Sequence, residues 1–246
     1  MTGEKKRIEV CYSPNQWHLY KKDYEIAIVI DVLRATSAIC AAVENGVTII
    51  PVSSLEEAQV YQDKGYLVAA ERNGQIVEGF DMGNSPVSFK NPELKGKTVI
   101  LTTTNGTKAI NIAREKETVA IASLNNLEAI CNWLIEQNKN VLLLGSGWKD
   151  KFNLEDTICA GAIADELIES HKFFAEEDST IAAKFIYRSA KENIFSFLKA
   201  SSHRRRLRKL NLNEDIKYCL TPNTTSVVPI LQGDEIVAAK KQLVSE

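Results

Sequence analysis

Glu25-Ile26-Ala27-Ile28-Val29-Ile30-Asp31 is an almost unbroken apolar run that ends on a carboxylate. It leaves no wet face, so it reads as a strand buried on both sides, the habit of parallel strands in α/β proteins. Outward from it the chain alternates. Val47 to Val52 is a second strand, and Ser54 and Glu57 have the spacing of a capping box that opens a helix running to about Lys64. A turn at Gly65 leads into a strand over Tyr66 to Ala70. Beyond a turn-rich stretch from Asn73 to Gly96, Lys97 to Leu101, Val119 to Ala122 and Val141 to Leu144 read as strands. Asn105 to Arg114, Asn126 to Gln137 and Glu155 to Glu169 read as helices between and after them. This alternation predicts an α/β fold, a layered α/β/α architecture with a largely parallel or mixed sheet.

The last third changes character. Ser179 to Leu198 reads as one long amphipathic helix with Ile181, Phe185, Ile194, Phe195 and Leu198 on its apolar stripe. Val227 to Leu231 and Ile236 to Ala239 are short strand candidates. No linker interrupts the chain, so residues 1–246 are expected to form a single domain; a late subdomain would begin at about residue 145, in the turns Gly145 to Gly147.

Composition bounds the function. With 246 residues, 44% hydrophobic and 25% charged, the chain can bury a substantial core, which excludes disorder over most of its length. A net charge of -2 argues against a nucleic-acid partner, since the one basic run, His203 to Lys209, lacks interleaved aromatics. Met1 is followed by a polar, lysine-bearing stretch rather than a signal-peptide core, and no apolar run reaches membrane-spanning length. The five cysteines are scattered and odd in number, so a cytoplasmic location is the expectation.

Polar clusters follow the strand candidates. Asp31 stands where a strand ends and Arg34 where the next helix starts, a place for a metal or an anion, or for a capping aspartate paired with a helix arginine. Glu71 and Arg72 could hold a hard cation and an oxyanion, although such neighbours are common on surfaces. Asp81, Asn84 and Ser85 lie in a glycine-bearing loop that is either a donor set or an Asx-type turn. Thr103, Asn105, Gly106 and Thr107 combine hydroxyls, an amide and the free N–H groups of a helix start, an anion cradle or a capped turn; the glycine spacing of a Walker A loop is absent. Glu155 and Asp156 open a helix, where carboxylates support a metal or merely offset the dipole. Cys159 reads as an inert buried thiol rather than a nucleophile, and the three histidines form no zinc motif. The cluster from Arg204 through Arg206 to Arg208 is a wet helix face, a dimer patch or an anion-binding lid.

In their order and spacing, Val29 to Thr36, Glu71-Arg72, Gly79 to Pro86, Thr102 to Thr107, Leu154 to Gly161 and Ser202 to Leu207 resemble the 2-phosphosulfolactate phosphatase family over almost the whole chain. The resemblance implies a magnesium-dependent hydrolysis of 2-phospho-3-sulfolactate, or a related small phosphorylated acid, to the 2-hydroxy acid and phosphate, in a pathway to coenzyme M. On that reading Asp31, Arg34, Glu71 and Asn105 are catalytic, and Asp31, Glu71, Asp81, Glu155 and Asp156 are the candidate Mg2+ ligands. Arg34, Arg72, Asn84, Ser85, Thr103, Asn105, Gly106, Thr107, Arg204 and Arg206 would meet the anionic substrate. A metal-oriented water or Asp31 itself would attack phosphorus. A metal-dependent lyase or isomerase, or a metabolite-binding module, could use the same groups. A homodimer through the late helix and basic run is the expected assembly.

Overall fold

The computed structural model describes residues 4–20 and 24–240. Its strands are β1 (Lys6–Cys11), β2 (Ile26–Ile30), β3 (Thr48–Pro51), β4 (Leu67–Arg72), β5 (Gln75–Ile76), β6 (Thr98–Thr102), β7 (Thr118–Ala122), β8 (Val141–Gly145), β9 (Phe173–Phe174), β10 (Pro229–Gln232) and β11 (Glu235–Ala238). The α-helices are α1 (Ala35–Glu44), α2 (Leu55–Asp63), α3 (Gly106–Ala113), α4 (Leu127–Gln137), α5 (Leu154–Glu169), α6 (Asp178–Ala190), α7 (Ile194–Phe197), α8 (Ser202–Lys209) and α9 (Asn213–Cys219). No helix among the described residues is long and apolar enough to cross a membrane.

The strands form one mixed sheet in the order β5-β4-β6-β3-β11-β10-β7-β2-β8-β1-β9. Alternation along the central strands shows both faces covered, as the opening run requires. Ile26, Ile28 and Ile30 of β2 join Leu143 of β8 and the apolar faces of α4, α5 and α6 in one core. Ala27 and Val29 join Leu142, Leu144 and the faces of α1 and α3 in the other. A smaller cluster packs α2 on β4 and β6. The layered α/β/α reading therefore holds, and α1 is buried along almost its whole length, as a helix apolar on all sides must be.

The hairpin of β10 and β11 is the unexpected joint. It lies between two parallel blocks, with β10 antiparallel to β7 at Ile230 and Ala120, and β11 antiparallel to β3 at Ile236 and Ile49. Three antiparallel steps in succession make the β3-β6-β4 block run opposite to the β7-β2-β8-β1-β9 block across the hairpin. Segments that follow strands of both blocks nevertheless meet. Gly106, which follows β6, abuts Asp31, which follows β2, and the Lys149 N–H beyond β8 donates to Asn105 Oδ1 at 3.4 Å.

Two expectations need correction. The long helix over Ser179 to Leu198 is broken: α6 ends at Ala190, and Asn193 caps a new short helix by accepting from the Ser196 N–H at 2.8 Å. The stretch from Asn73 to Gly96 is more than turns, because β5 returns on β4 and Met82 exchanges backbone hydrogen bonds with Val68 and Ala70.

Candidate functional site

Loops after β2, β4, β6 and β8, together with α8, enclose a small polar chamber lined by Asp31, Leu33, Arg34, Glu71, Gly74, Asn84, Asn105, Trp148, His203 and Leu207. Its volume is about 20 Å³, enough for a water-sized body. Beside it, and sharing Trp148 and His203 as a common wall, lies a larger cavity of about 290 Å³ whose lining includes Lys151, Ser202 and Arg206.

Asp31 is placed by its own backbone. Its N–H donates to Thr36 Oγ1 at 3.0 Å and its carbonyl accepts the Thr36 N–H at 2.9 Å, which locks the turn from β2 into α1. The Leu33-Arg34 peptide in this turn is cis. Burial, and then the carboxylates of Asp156 and Glu71, push the Asp31 carboxyl well above its ordinary range. Asp156 is also raised, by burial first and then by neighbouring Glu155. It is held against the β2 turn by accepting from the Val32 N–H at 2.9 Å and from Asn153 Nδ2 at 2.8 Å. Burial and neighbouring carboxyls thus favour the protonated form at both Asp31 and Asp156.

Arg34 does not pair with Asp31. Its guanidinium is clamped by Asp215 and by the Gly74 carbonyl at 2.8 Å, and Ser85 Oγ steadies Asp215 from the other side at 2.7 Å. Glu71 is spent on loop structure: it accepts from the Gly74 N–H and, at 3.1 Å, from the Thr104 N–H. Thr103 and Thr107 cap each other, Thr107 N–H to Thr103 Oγ1 at 3.1 Å and Thr103 N–H to Thr107 Oγ1 at 3.2 Å. Gly106 is required for closeness, since a Cβ there would sit 2.5 Å from Ala35 Cβ and 2.9 Å from Asp31 Oδ2. Asn84 lines the chamber with its Oδ1 buried and unpartnered.

Other sequence candidates lie elsewhere. Arg72 turns to the Glu71 carbonyl and Thr102 Oγ1, and Asp81 caps the Val68 N–H from an exposed position, so neither lines the chamber. Arg204 lies over the Phe195 ring and donates to the Phe195 carbonyl. Arg206 lies over Trp148 at 4.2 Å, its Nε and Nη2 buried without a partner. Glu155 is 1% exposed and accepts from Ser201 Oγ at 3.2 Å while meeting His203 Nδ1 at 2.7 Å.

His203, Trp148 and Asp215 were not expected at the site. One signal was available for His203: Ser201 is a helix cap, and a helix begun there puts His203 and Leu207 on one face and the exposed Arg205 and Arg208 on the other. Nothing in sequence links Asp215 to Arg34.

Comparison with known proteins gives this chamber its setting. The model of the 2-phosphosulpholactate phosphatase family matches residues 11–234. The chain belongs to this family. It is 40% identical over 211 residues to a probable 2-phosphosulfolactate phosphatase of Caldanaerobacter subterraneus subsp. tengcongensis, covering 84% of this chain and 87% of the relative. It is 37% identical over 225 residues to one of Cyanothece sp., with 87% and 92% covered. A third, from Clostridium acetobutylicum, is 34% identical over 235 residues, 94% of this chain and 100% of the relative. Membership in the phosphatase family makes the protein a hydrolase of that type.

Proposed function

We propose that this protein is a magnesium-dependent phosphatase that hydrolyses 2-phospho-3-sulfolactate, or a closely related small phosphorylated acid, to the 2-hydroxy acid and inorganic phosphate. The observation that carries this reading is the buried chamber that Asp31 and Arg34 both line, with a cavity beside it whose lining includes Arg206, two of whose guanidinium nitrogens have no hydrogen-bond partner.

Among the described residues no three His, Cys, Asp or Glu side chains converge as a ready ligand set. Magnesium does not need one, because it is commonly held by one or two carboxylates while water and phosphate oxygens complete its shell. Asp31, which lines the chamber, meets that need, and the carboxyl of Asp156, close enough to raise that of Asp31, would add negative charge behind the ion. Held there, the ion would offset charge on the phosphoryl oxygens.

The remaining groups are supplied by the chain. Arg34, fixed by Asp215, presents positive charge without reorganising, and Asn105 with the start of α3 favours the anion. Arg206 and Lys151, in the larger cavity, suit the second anionic group of the substrate. Water is the favoured nucleophile, since Asp31 lies outside an Asp-x-Asp pattern. Phosphate release from phosphosulfolactate, phospholactate and the phosphoglycerates, with magnesium and with chelator, tests the reading. Release with magnesium that the chelator abolishes is expected; saturable binding with no release would overturn it.

A further inference from the structure

Two residues, Trp148 and His203, line both the inner chamber and the larger cavity. If the phosphoryl group sits with Asp31, Arg34 and Asn105 and the organic acid with Arg206, the ester oxygen joining them must lie at this shared wall. That placement rests on the phosphatase reading above. Trp148 can donate a hydrogen bond there but cannot transfer a proton, whereas an imidazole can do both.

His203 is built for that task. Its Nδ1 meets the Oε1 of Glu155 at 2.7 Å, Glu155 is itself buried and held by Ser201, and the His203 ring packs against Trp148 with centroids 5.2 Å apart. With Nδ1 committed to the carboxylate, Nε2 is the nitrogen left to serve the site. This is the arrangement of a base or acid oriented by a buried third group.

We propose that His203 is the general acid that protonates the leaving oxygen, with Glu155 as its positioning residue. Water oxygen forms the new P–O bond as the ester P–O bond breaks, and the bonding pair departs on the substrate oxygen. That oxygen takes the Nε2 proton of the imidazolium. One water proton stays on the product as hydrogen phosphate; the other passes to solvent, from which the imidazole regains its proton.

The test uses leaving-group dependence in the magnesium-supplied full chain. Phospholactate must expel a strongly basic alkoxide; p-nitrophenyl phosphate expels a stable phenolate that needs no proton. His203→Asn is expected to lose about 100-fold in kcat on phospholactate and less than about threefold on p-nitrophenyl phosphate. Glu155→Gln should show the same substrate dependence with a smaller loss, and free imidazole should restore phospholactate turnover to His203→Ala. Should His203→Asn fail to fold, the Glu155→Gln comparison carries the same readout. Equal losses on the two esters, or none on either, would overturn the assignment while leaving the phosphatase reading intact. A wild-type chain that releases phosphate from neither ester would overturn both.

Discussion

Asp31 ends a strand buried on both faces, so its carboxylate is delivered into a region from which water is largely excluded. That much was legible, because an apolar run that stops on a single charge marks where a buried strand gives way to its first polar turn. Its neighbours were legible only as types. Arg34 was expected beside Asp31, yet its charge is answered by Asp215, which lies 181 residues away and carries no local signal. If magnesium binds at Asp31, it stabilises the folded chain by mass action, about 2.7 kcal/mol at a hundred times its Kd. Calorimetric melting with magnesium and with chelator should then show a higher Tm with the ion, and Asp31→Asn should abolish both the shift and turnover. A shift that survives in Asp31→Asn would place the ion elsewhere. Arg206 makes a separate prediction, since it lines the larger cavity and its Nε and Nη2 have no hydrogen-bond partner. Arg206→Ala should raise KM about tenfold or more for substrates with a second anionic group and leave p-nitrophenyl phosphate almost untouched, consistent with about 1.5–3 kcal/mol for a charged hydrogen bond. Equal KM changes for both substrate types would remove Arg206 from substrate selection.

At the scale of elements, the helices whose periodicity is set by burial on one face were read correctly, α3 and α4 among them. Those ended by local chemistry were not: a side-chain cap at Asn193 outweighs a continuous apolar stripe, and stripe counting does not register it. The basic run shows the same limit. Its composition reads as wet surface, but helical period turns His203, Arg204 and Leu207 inward. The contact of α5 with α6 depends on a residue whose role is invisible in sequence. A Cβ on Gly161 would lie 2.1 Å from the Ala183 carbonyl oxygen, so the two helices approach as closely as they do only because Gly161 has none. Gly161→Val must push α6 away from the core it helps to close. The expected cost is about 1–3 kcal/mol, read as a Tm several degrees lower, with the loss absent when the valine is placed at exposed Ala182 of α6. An unchanged Tm in Gly161→Val would show that the helices repack freely.

For the molecule as a whole, strand type was legible and strand order was not. Nothing in Pro229 to Ala238 announces that this hairpin will be inserted between β3 and β7, because pairing partners so distant are chosen by the closure of both cores rather than by local pattern. The same closure buries all five cysteines. Burial pushes the thiols of Cys11, Cys40 and Cys219 up from 9.0 to about 12, and raises Cys131 and Cys159 as well. Below pH 9 the thiols are protonated in both folded and unfolded chains and contribute no pH dependence. Between about pH 9 and 12 the unfolded chain releases protons that the folded chain retains, so stability falls as pH rises, by up to about 1.4 kcal/mol per pH unit for each thiol. Five thiols acting together would consume the stability of an ordinary domain within about two pH units of that window. Urea midpoints measured at pH 8, 9, 10 and 11 should therefore hold steady and then drop steeply, and Cys219→Ala should drop less steeply than the wild type. Native protein at pH 8 should also resist a thiol-specific disulfide reagent that counts five reactive groups after denaturation. A midpoint that stays flat through pH 11, or native thiols that react at once, would mean that the sheet's two cores open to solvent far more readily than their burial implies.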